Sequence, residues 1–460
     1  MKSRPILFTD EQMRQFLTHG YVILQSTLPA EIHAEIYEQL ERVFAEEGNP
    51  GNNVLPRVPA IQQVFDDPVV HGAFVSVLGE DYLMHPHRHC HRSPKGRDGG
   101  WHKDSYWGYR KVRHHRSRWA MAFYYPQDVP PEIGPTGIYP GTQYHDSRNF
   151  SPEESGVNAL GSSGLVVIIH YDIWHRATAN RLDKTRYMLK FEFARLDEPT
   201  APSWDNQEAD WRLPEDLPPY RHEALWESLW TWIRGEQPRF QSGGNGDLKG
   251  LAKRLSDESE VARLNAAYEL ARYGDRAVGP LADALWSEAP LTVRAAAYGL
   301  AAIGEPALEA LTSALRSGSE ETRTHAAFAL GEIGPAAAPA AEALAEALQD
   351  ESTTVRRHAA EALGIVRRPS SRTVPPLIQA LDDPDDQTRF NAVLSLARIG
   401  AEAHEALPAL QAALLDPNRY VRGYAVSALR RIGTPEALQI ALDYLETARW
   451  CPSTTPRSTF

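Results

Sequence analysis

Gly100-Trp101-His102-Lys103-Asp104 is the stretch on which the reading of this 460-residue chain turns. Side chains alternate along an extended segment, so His102 and Asp104 fall on one side and Lys103 on the other. Both can then reach one metal ion, and His175, 73 residues after His102, offers a second imidazole from another strand or loop. Two histidines and one carboxylate suit a non-haem Fe(II) centre, because they hold one face of the ion and leave the other open for a co-substrate and O₂. Arg186, 11 residues after His175, adds a fixed cationic fork shaped for a carboxylate. An HxD triplet occurs often by chance, so the weight rests on the order of all four residues. His170 is a rival third ligand, but it ends an apolar run and lacks the Trp174-His175-Arg176 setting. The plain alternative makes both histidines buried structural groups, Asp104 a turn residue and Arg186 a surface strand residue.

Around this stretch the chain reads as strands: Tyr82–Arg92, Trp119–Tyr125, Leu165–His170 and Tyr187–Ala194. Pro130-Pro131, Gly134-Pro135 and Pro140-Gly141 mark turns between them. Helices come first. Thr9-Asp-Glu-Gln12 is a capping-box pattern that starts a helix near Asp10, Tyr21–Leu24 reads as a strand, and Leu28–Val43 reads as a second helix with Pro29 near its start. Helices followed by many short strands predict an α+β domain whose β part is a sandwich or jelly roll.

Gly100-Trp-His-Lys-Asp104, Gly134-Pro-Thr136, Pro140-Gly141, Asp172-Ile-Trp-His175 and Arg186, in that order, resemble the phytanoyl-CoA dioxygenase family. Phe8-Thr-Asp-Glu-Gln12 and Gly20-Tyr-Val-Ile-Leu24 look like that family's start, and the resemblance covers about residues 5–235. It implies an Fe(II)- and 2-oxoglutarate-dependent oxygenase on a double-stranded β-helix (jelly roll). It further implies that His102, Asp104 and His175 are the iron ligands and catalytic centre. By the same analogy Arg186 pairs with the distal carboxylate of 2-oxoglutarate, and Trp119 is a co-substrate contact. This chain departs from the family pattern at Ile133, where Asn is common, at Ala177, where some members carry a hydroxyl, and at Thr142-Gln143, where Ser-His is common. In related halogenases the carboxylate is lost and chloride takes its place; Asp104 therefore implies hydroxylation.

After residue 241 the composition shifts from Trp, Tyr, His and Pro to Ala, Leu and Arg. The reading is a catalytic domain at 1–241, a glycine-rich linker at 242–246, an all-α solenoid at 247–448 and a tail at 449–460. Arg263, Arg294, Arg323, Arg356, Arg389 and Arg422 recur at spacings of 31, 29, 33, 33 and 33. Within one unit Val293, Ala296, Ala297, Leu300 and Ile303 share a helix face, and Gly304 follows as a cap; similar endings recur at Gly274, Gly334, Gly400 and Gly433. The fourth unit instead runs Gly364-Ile-Val-Arg-Arg-Pro369, so its turn should differ. This half resembles short HEAT repeats, in six units. Asp350, Asp383 and Asp416 stand six residues before an arginine, which reads as a ladder between neighbours rather than a binding row.

The net charge of −12 disfavours nucleic-acid and anionic-membrane partners. Two distant cysteines fit a reducing cytoplasm, and neither a signal peptide nor a membrane span is expected. His85, His87, His89 and His91 alternate, which allows either a second metal site or, as favoured, a polar strand lining the substrate cavity. His114-His115, beside Arg113 and Arg116, reads as a solvated loop covering the active site, and Trp226 with Trp230 as helix packing. Three functions compete. The favoured one is hydroxylation of a small molecule, possibly a natural product, with 2-oxoglutarate and O₂. A second is hydroxylation of a protein- or carrier-linked substrate recruited by the solenoid. The third is a non-catalytic HEAT scaffold with a degenerate oxygenase domain.

Overall fold

Thr9 and Gln12 make the reciprocal contacts of a capping box: Thr9 Oγ1 accepts from the Gln12 amide at 3.3 Å, and Gln12 Oε1 accepts from the Thr9 amide at 3.0 Å. Helix α1 (Asp10–His19) begins there. Then come β1 (Tyr21–Gln25), α2 (Ala30–Glu46), α3 (Val54–Arg57), α4 (Ile61–Asp66) and α5 (Pro68–Leu78). The structure, a computed structural model, describes residues 4–104, 113–151, 156–240 and 247–447. The expected linker at 242–246 and tail at 449–460 lie outside the described residues. Two compact units result, one reaching Arg221 and the other beginning at His222.

The first unit is a jelly roll. Its remaining strands are β2 (Leu83–Ser93), β3 (Trp119–Tyr125), β4 (Thr136–Ile138), β5 (Val157–Asn158), β6 (Leu165–His170), β7 (His175–Ala177) and β8 (Arg186–Ala194). Five strands pair antiparallel in the order β1-β6-β3-β8-β2, and three more in the order β5-β4-β7. The long strands lie within a residue of their expected bounds. Helices α3 to α5 were not anticipated. Helix α5 is apolar all round and mostly buried, so it shows no amphipathic stripe to read.

Strand β8 decides which side chains enter the site, because both of its faces are buried. Phe191 lies 4.6 Å from Phe65 of α4, Phe193 lies 3.8 Å from Phe74 of α5, and Tyr187 lies 5.3 Å from Tyr37 of α2. These residues alternate with Arg186, Met188, Lys190 and Glu192, which therefore point to the opposite face, between the two sheets. Phe123, the partner of Lys190 on β3, points the same way and lies 5.3 Å from the ring of His175.

The second unit is helical. Its arginine-bearing helices are Glu260–Ala271, Pro290–Ile303, Glu320–Ile333, Thr353–Val366, Asp386–Ile399 and Arg419–Ile432. The ladder has two rungs per aspartate. Arg356 donates Nη1 to the carbonyl of Asp350 in its own unit at 3.0 Å, and Nε to the carboxylate of Asp383 in the next at 2.7 Å. Arg323 with Asp350 and Arg389 with Asp416 repeat the carboxylate contact at 2.7 Å. Arg294 departs from the pattern and meets Glu260 at 3.3 Å. The fourth turn does differ. Arg367 adopts φ +65, in the half of the map that glycine occupies at the neighbouring turns, such as Gly304 at φ +85. Trp226 and Trp230 are fully buried in helix Glu223–Ile233, as packing residues. No helix among the described residues is long and apolar enough to cross a membrane.

Candidate active site

The HxD stretch is not in a regular strand. It is pinned to β7 by a two-bond bridge: the His102 amide donates to the His175 carbonyl at 2.9 Å, and the His175 amide donates back at 3.0 Å. Trp101 anchors the stretch on its other side, its ring 5.9 Å from Tyr139 and 5.2 Å from Phe150. Lys103 turns away and donates to the carbonyls of Thr142 and Asp172. The bridge leaves the imidazoles of His102 and His175 4.4 Å apart.

The ring nitrogens are sorted by their neighbours. His102 Nδ1 lies 3.0 Å from the Gly100 carbonyl and His175 Nδ1 lies 3.1 Å from the Ile173 carbonyl. A carbonyl can only accept, so each Nδ1 carries the proton and each Nε2 keeps its lone pair for a ligand. Asp104 is divided in the same manner. Its Oδ1 pairs with Lys190 Nζ at 3.0 Å, while Oδ2 lies 3.5 Å from His175 Nε2. That Oδ2 is buried and has no hydrogen-bond partner among the described residues. A buried acceptor of this kind is costly unless something fills it. The ligand atoms of His102, Asp104 and His175 all lie within 4.8 Å of one another, so the donor set fits one cation.

Electrostatics keep His175 and Asp104 in ligand form. Burial pushes His175 down to about 4, against the pull of Asp104, so the ring is neutral at pH 7. Burial alone would raise Asp104, but Lys190 and His175 outweigh it and hold the carboxyl well below the usual range.

Arg186 opens β8 opposite Ser93 and is 1% exposed. Its guanidinium donates to Ser93 Oγ at 2.8 Å and to the Gly134 carbonyl. Gly134 has φ +78, and a Cβ there would meet the Thr178 carbonyl at 2.4 Å, so the Gly134-Pro135 turn needs its glycine. Burial lowers Arg186 from its ordinary value. A buried cationic fork beside the Ser93 hydroxyl fits a carboxylate.

Trp119 is not brought to Arg186. It pairs with Ala194, at the far end of β8, roughly 26 Å along the strand from Arg186. A five-carbon diacid anchored on Arg186 does not reach that far. Trp119 instead packs edge-on to His85 at 5.6 Å. His170 is buried, accepts from the Asp172 amide at 3.3 Å, and is not in the metal-capable group. The four alternating histidines do not form one uninterrupted face, because the β2 register shifts between Met84 and Arg88. Among the described residues they join no metal-capable group. The reading of His114-His115 as a solvated loop fails at His115, which is 2% exposed with its ring 5.5 Å from Tyr144. At the departures from the family pattern, Thr142 Oγ1 donates to the Tyr139 carbonyl at 2.7 Å and Gln143 donates to the Leu17 carbonyl at 3.0 Å, so both hold the turn. Lys190 and Ser93 were missed. Lys190 and Glu192 alternate with the aromatic and aliphatic residues of β8, a pattern that also describes a strand with one solvated face.

Residues 16–188 match the profile of the phytanoyl-CoA dioxygenase (PhyH) family. The first unit is a phytanoyl-CoA dioxygenase-family domain. The second matches HEAT repeats over residues 248–327, 308–374 and 374–450. A comparison with curated protein sequences finds no match. Solved structures similar to the PhyH-family domain include the non-haem alpha-ketoglutarate-dependent carbocyclase SnoK from nogalamycin biosynthesis, with 18% identity over 42% of this chain and 88% of that one, at a TM-score of 0.35. EctD from S. alaskensis with 2-oxoglutarate and 5-hydroxyectoine shares 17% over 47% and 87% of the two chains, at 0.36. HygX from Streptomyces hygroscopicus with iron bound shares 14% over 46% and 95%, at 0.34.

Proposed function

We propose that the PhyH-family domain is an Fe(II)- and 2-oxoglutarate-dependent dioxygenase that hydroxylates an unactivated C–H bond of a small molecule. The observation that carries this reading is the convergence of His102, Asp104 and His175, with both Nε2 lone pairs and the orphaned Asp104 Oδ2 left for a cation. Those three residues would hold iron, and Arg186 would receive the distal carboxylate of 2-oxoglutarate. When bound, iron with 2-oxoglutarate and O₂ supplies the oxidising chemistry, and the keto acid leaves as succinate and CO₂.

The chain's own part is orientation and exclusion of water. The carbonyls of Gly100 and Ile173 fix the two imidazoles. Ser93 and the Gly134 carbonyl fix the guanidinium before any ligand arrives, so less order is lost on binding. Burial of His175 and Arg186 keeps water from the inner end of the site. The presence of Asp104 favours hydroxylation over halogenation, since no ligand position falls to chloride.

The test is succinate formation from 2-oxoglutarate with Fe(II), ascorbate and candidate substrates. Asp104→Ala and His175→Ala should each abolish it, and full activity in either would sink the assignment. The HEAT solenoid supports a second reading, in which it recruits a protein- or carrier-linked substrate, since solenoids present extended surfaces. Unchanged turnover of a free small molecule after deletion of residues 247–460 would reject recruitment.

A further inference from the structure

Lys190 is an expensive residue where it stands. It lies at the centre of β8, in register with His89 of β2 on one side and Phe123 of β3 on the other. Its side chain is 6% exposed. A buried ammonium costs several kcal/mol unless it is paired, and beside a divalent cation it also adds repulsion. Its pairing is specific. Nζ pairs with Asp104 Oδ1 at 3.0 Å, while Oδ2 of the same carboxylate lies 3.5 Å from His175 Nε2.

We propose that Lys190 is a positioning residue that holds Asp104 as a one-oxygen ligand and so keeps the third open position of the metal free. The inference rests on the metal centre proposed above. A carboxylate can bind a cation through one oxygen or both. With two histidines and one carboxylate oxygen, a six-coordinate ion has three positions left, two for a keto-acid chelate and one for O₂. A carboxylate that swings to chelate takes one of the three. Lys190 prevents the swing by occupying Oδ1. The ladder bonds on both sides of β8 fix its backbone, and burial of the side chain restricts how far the ammonium can move with the carboxylate. Lys190 touches neither the reacting carbon nor the keto acid in this account.

The experiment counts exchangeable waters on Mn(II) by water-proton relaxation, using the full chain. Wild type should bind Mn(II) with about three waters and keep about one after 2-oxoglutarate is added. Lys190→Met should still bind Mn(II), show about two waters, and lose nearly all inner-shell relaxation once 2-oxoglutarate is added. Lys190→Arg, which keeps a donor for Oδ1, should restore the wild-type count. Thermal melts of the metal-free proteins check folding, and Lys190→Gln is read in the same way if the Met variant does not fold. A wild-type water count in Lys190→Met overturns the proposal. So does a raised KM for 2-oxoglutarate with an unchanged count, which would make Lys190 a co-substrate ligand. If wild type itself binds no Mn(II), the metal reading fails beneath it, and the two failures are distinct.

Discussion

Arg356→Ala tests what the repeated arginines of the solenoid do. Arg356 spends its donors on four acceptors: Asp383 Oδ2 at 2.7 Å and Oδ1 at 3.2 Å, the Asp350 carbonyl at 3.0 Å and the Glu351 carbonyl at 3.3 Å. The side chains are 13% and 7% exposed, so solvent screens the pair little. Hydrogen bonds to charged groups contribute about 1.5–3 kcal/mol each and are not additive; breaking a buried pair costs about 3–5 kcal/mol. Asp383 keeps a bond from the Asp385 amide at 2.8 Å, which softens the loss. The expected cost is therefore about 2–4 kcal/mol. Arg368 with Glu402 is the internal control. Those side chains are 75% and 49% exposed, and Arg368→Ala should cost less than about 1 kcal/mol. The assay is urea unfolding of the full chain, followed through the solenoid's transition. A double-mutant cycle with Asp383→Ala should return a coupling of about 1–3 kcal/mol. Equal shifts for Arg356→Ala and Arg368→Ala, or no coupling to Asp383, would refute the ladder and reopen these arginines as binding residues.

Other outcomes follow from single sites. Arg186→Lys loses the planar fork while keeping a charge, so KM for 2-oxoglutarate should rise about 10- to 100-fold in a steady-state succinate assay with Mn(II) affinity unchanged. His325 is buried and held down to about 4, chiefly by desolvation, whereas an unfolded histidine titrates near 6.5. Between those values the unfolded state binds the extra proton, so stability present above pH 6.5 is lost as pH falls towards 4. His325→Gln should shrink the solenoid's loss of stability between pH 7 and pH 4.5 by about 2 kcal/mol, read from unfolding at the two pH values. At the turns, Gly304→Ala should cost about 1–2 kcal/mol, because φ +85 is foreign to side chains; Arg367→Gly at φ +65 should gain about 1 kcal/mol. Thermal melts that moved both the same way would contradict this account of the fourth turn.

Local signals in the sequence survived where their cause was local. The capping box at Thr9, the helix face of Val293 to Ile303 and the endings at Gly304, Gly334, Gly400 and Gly433 depend on bonds within a turn or two, and they formed at the expected residues; the first of these helices instead ends at Ala271, three residues before Gly274. The aspartate and arginine repeat was legible as a ladder, but not that each aspartate serves two units, with its carbonyl and its carboxylate facing different arginines. Helix α5 was hidden because uniform burial erases the 3.6-residue period. Strands β4, β5 and β7 are two or three residues long and are set by pairing across the molecule, such as Ile138 against His175. His115 looked solvated beside Arg113 and Arg116, yet it is buried against Tyr144, a contact 29 positions along the chain that no local window contains.

Chemistry and order mark His102, Asp104, His175 and Arg186 in the sequence, and the fold adds what order cannot. Strand β8 alternates aromatic or aliphatic residues with Lys190 and Glu192, the pattern of a strand with one wet face. That inference assumes that the polar face meets water. In a jelly roll with helices α2, α4 and α5 on its outside, the roles exchange: the apolar face packs under the helices, and the charged face turns into the space between the sheets. A charge that periodicity assigns to solvent is then one of the few groups able to act on a ligand. The side chains of Arg186 and Lys190 share that face, four residues and roughly 13 Å apart along the strand. One sits beside Ser93 at the strand's start, the other at Asp104. The spacing sets the guanidinium and the ammonium along one line, each at its own partner, and it comes from the strand's pleat rather than from any loop. Fixing both on a single rigid element makes their separation insensitive to loop motion, which is what the proposed metal and keto-acid positions would require of each other.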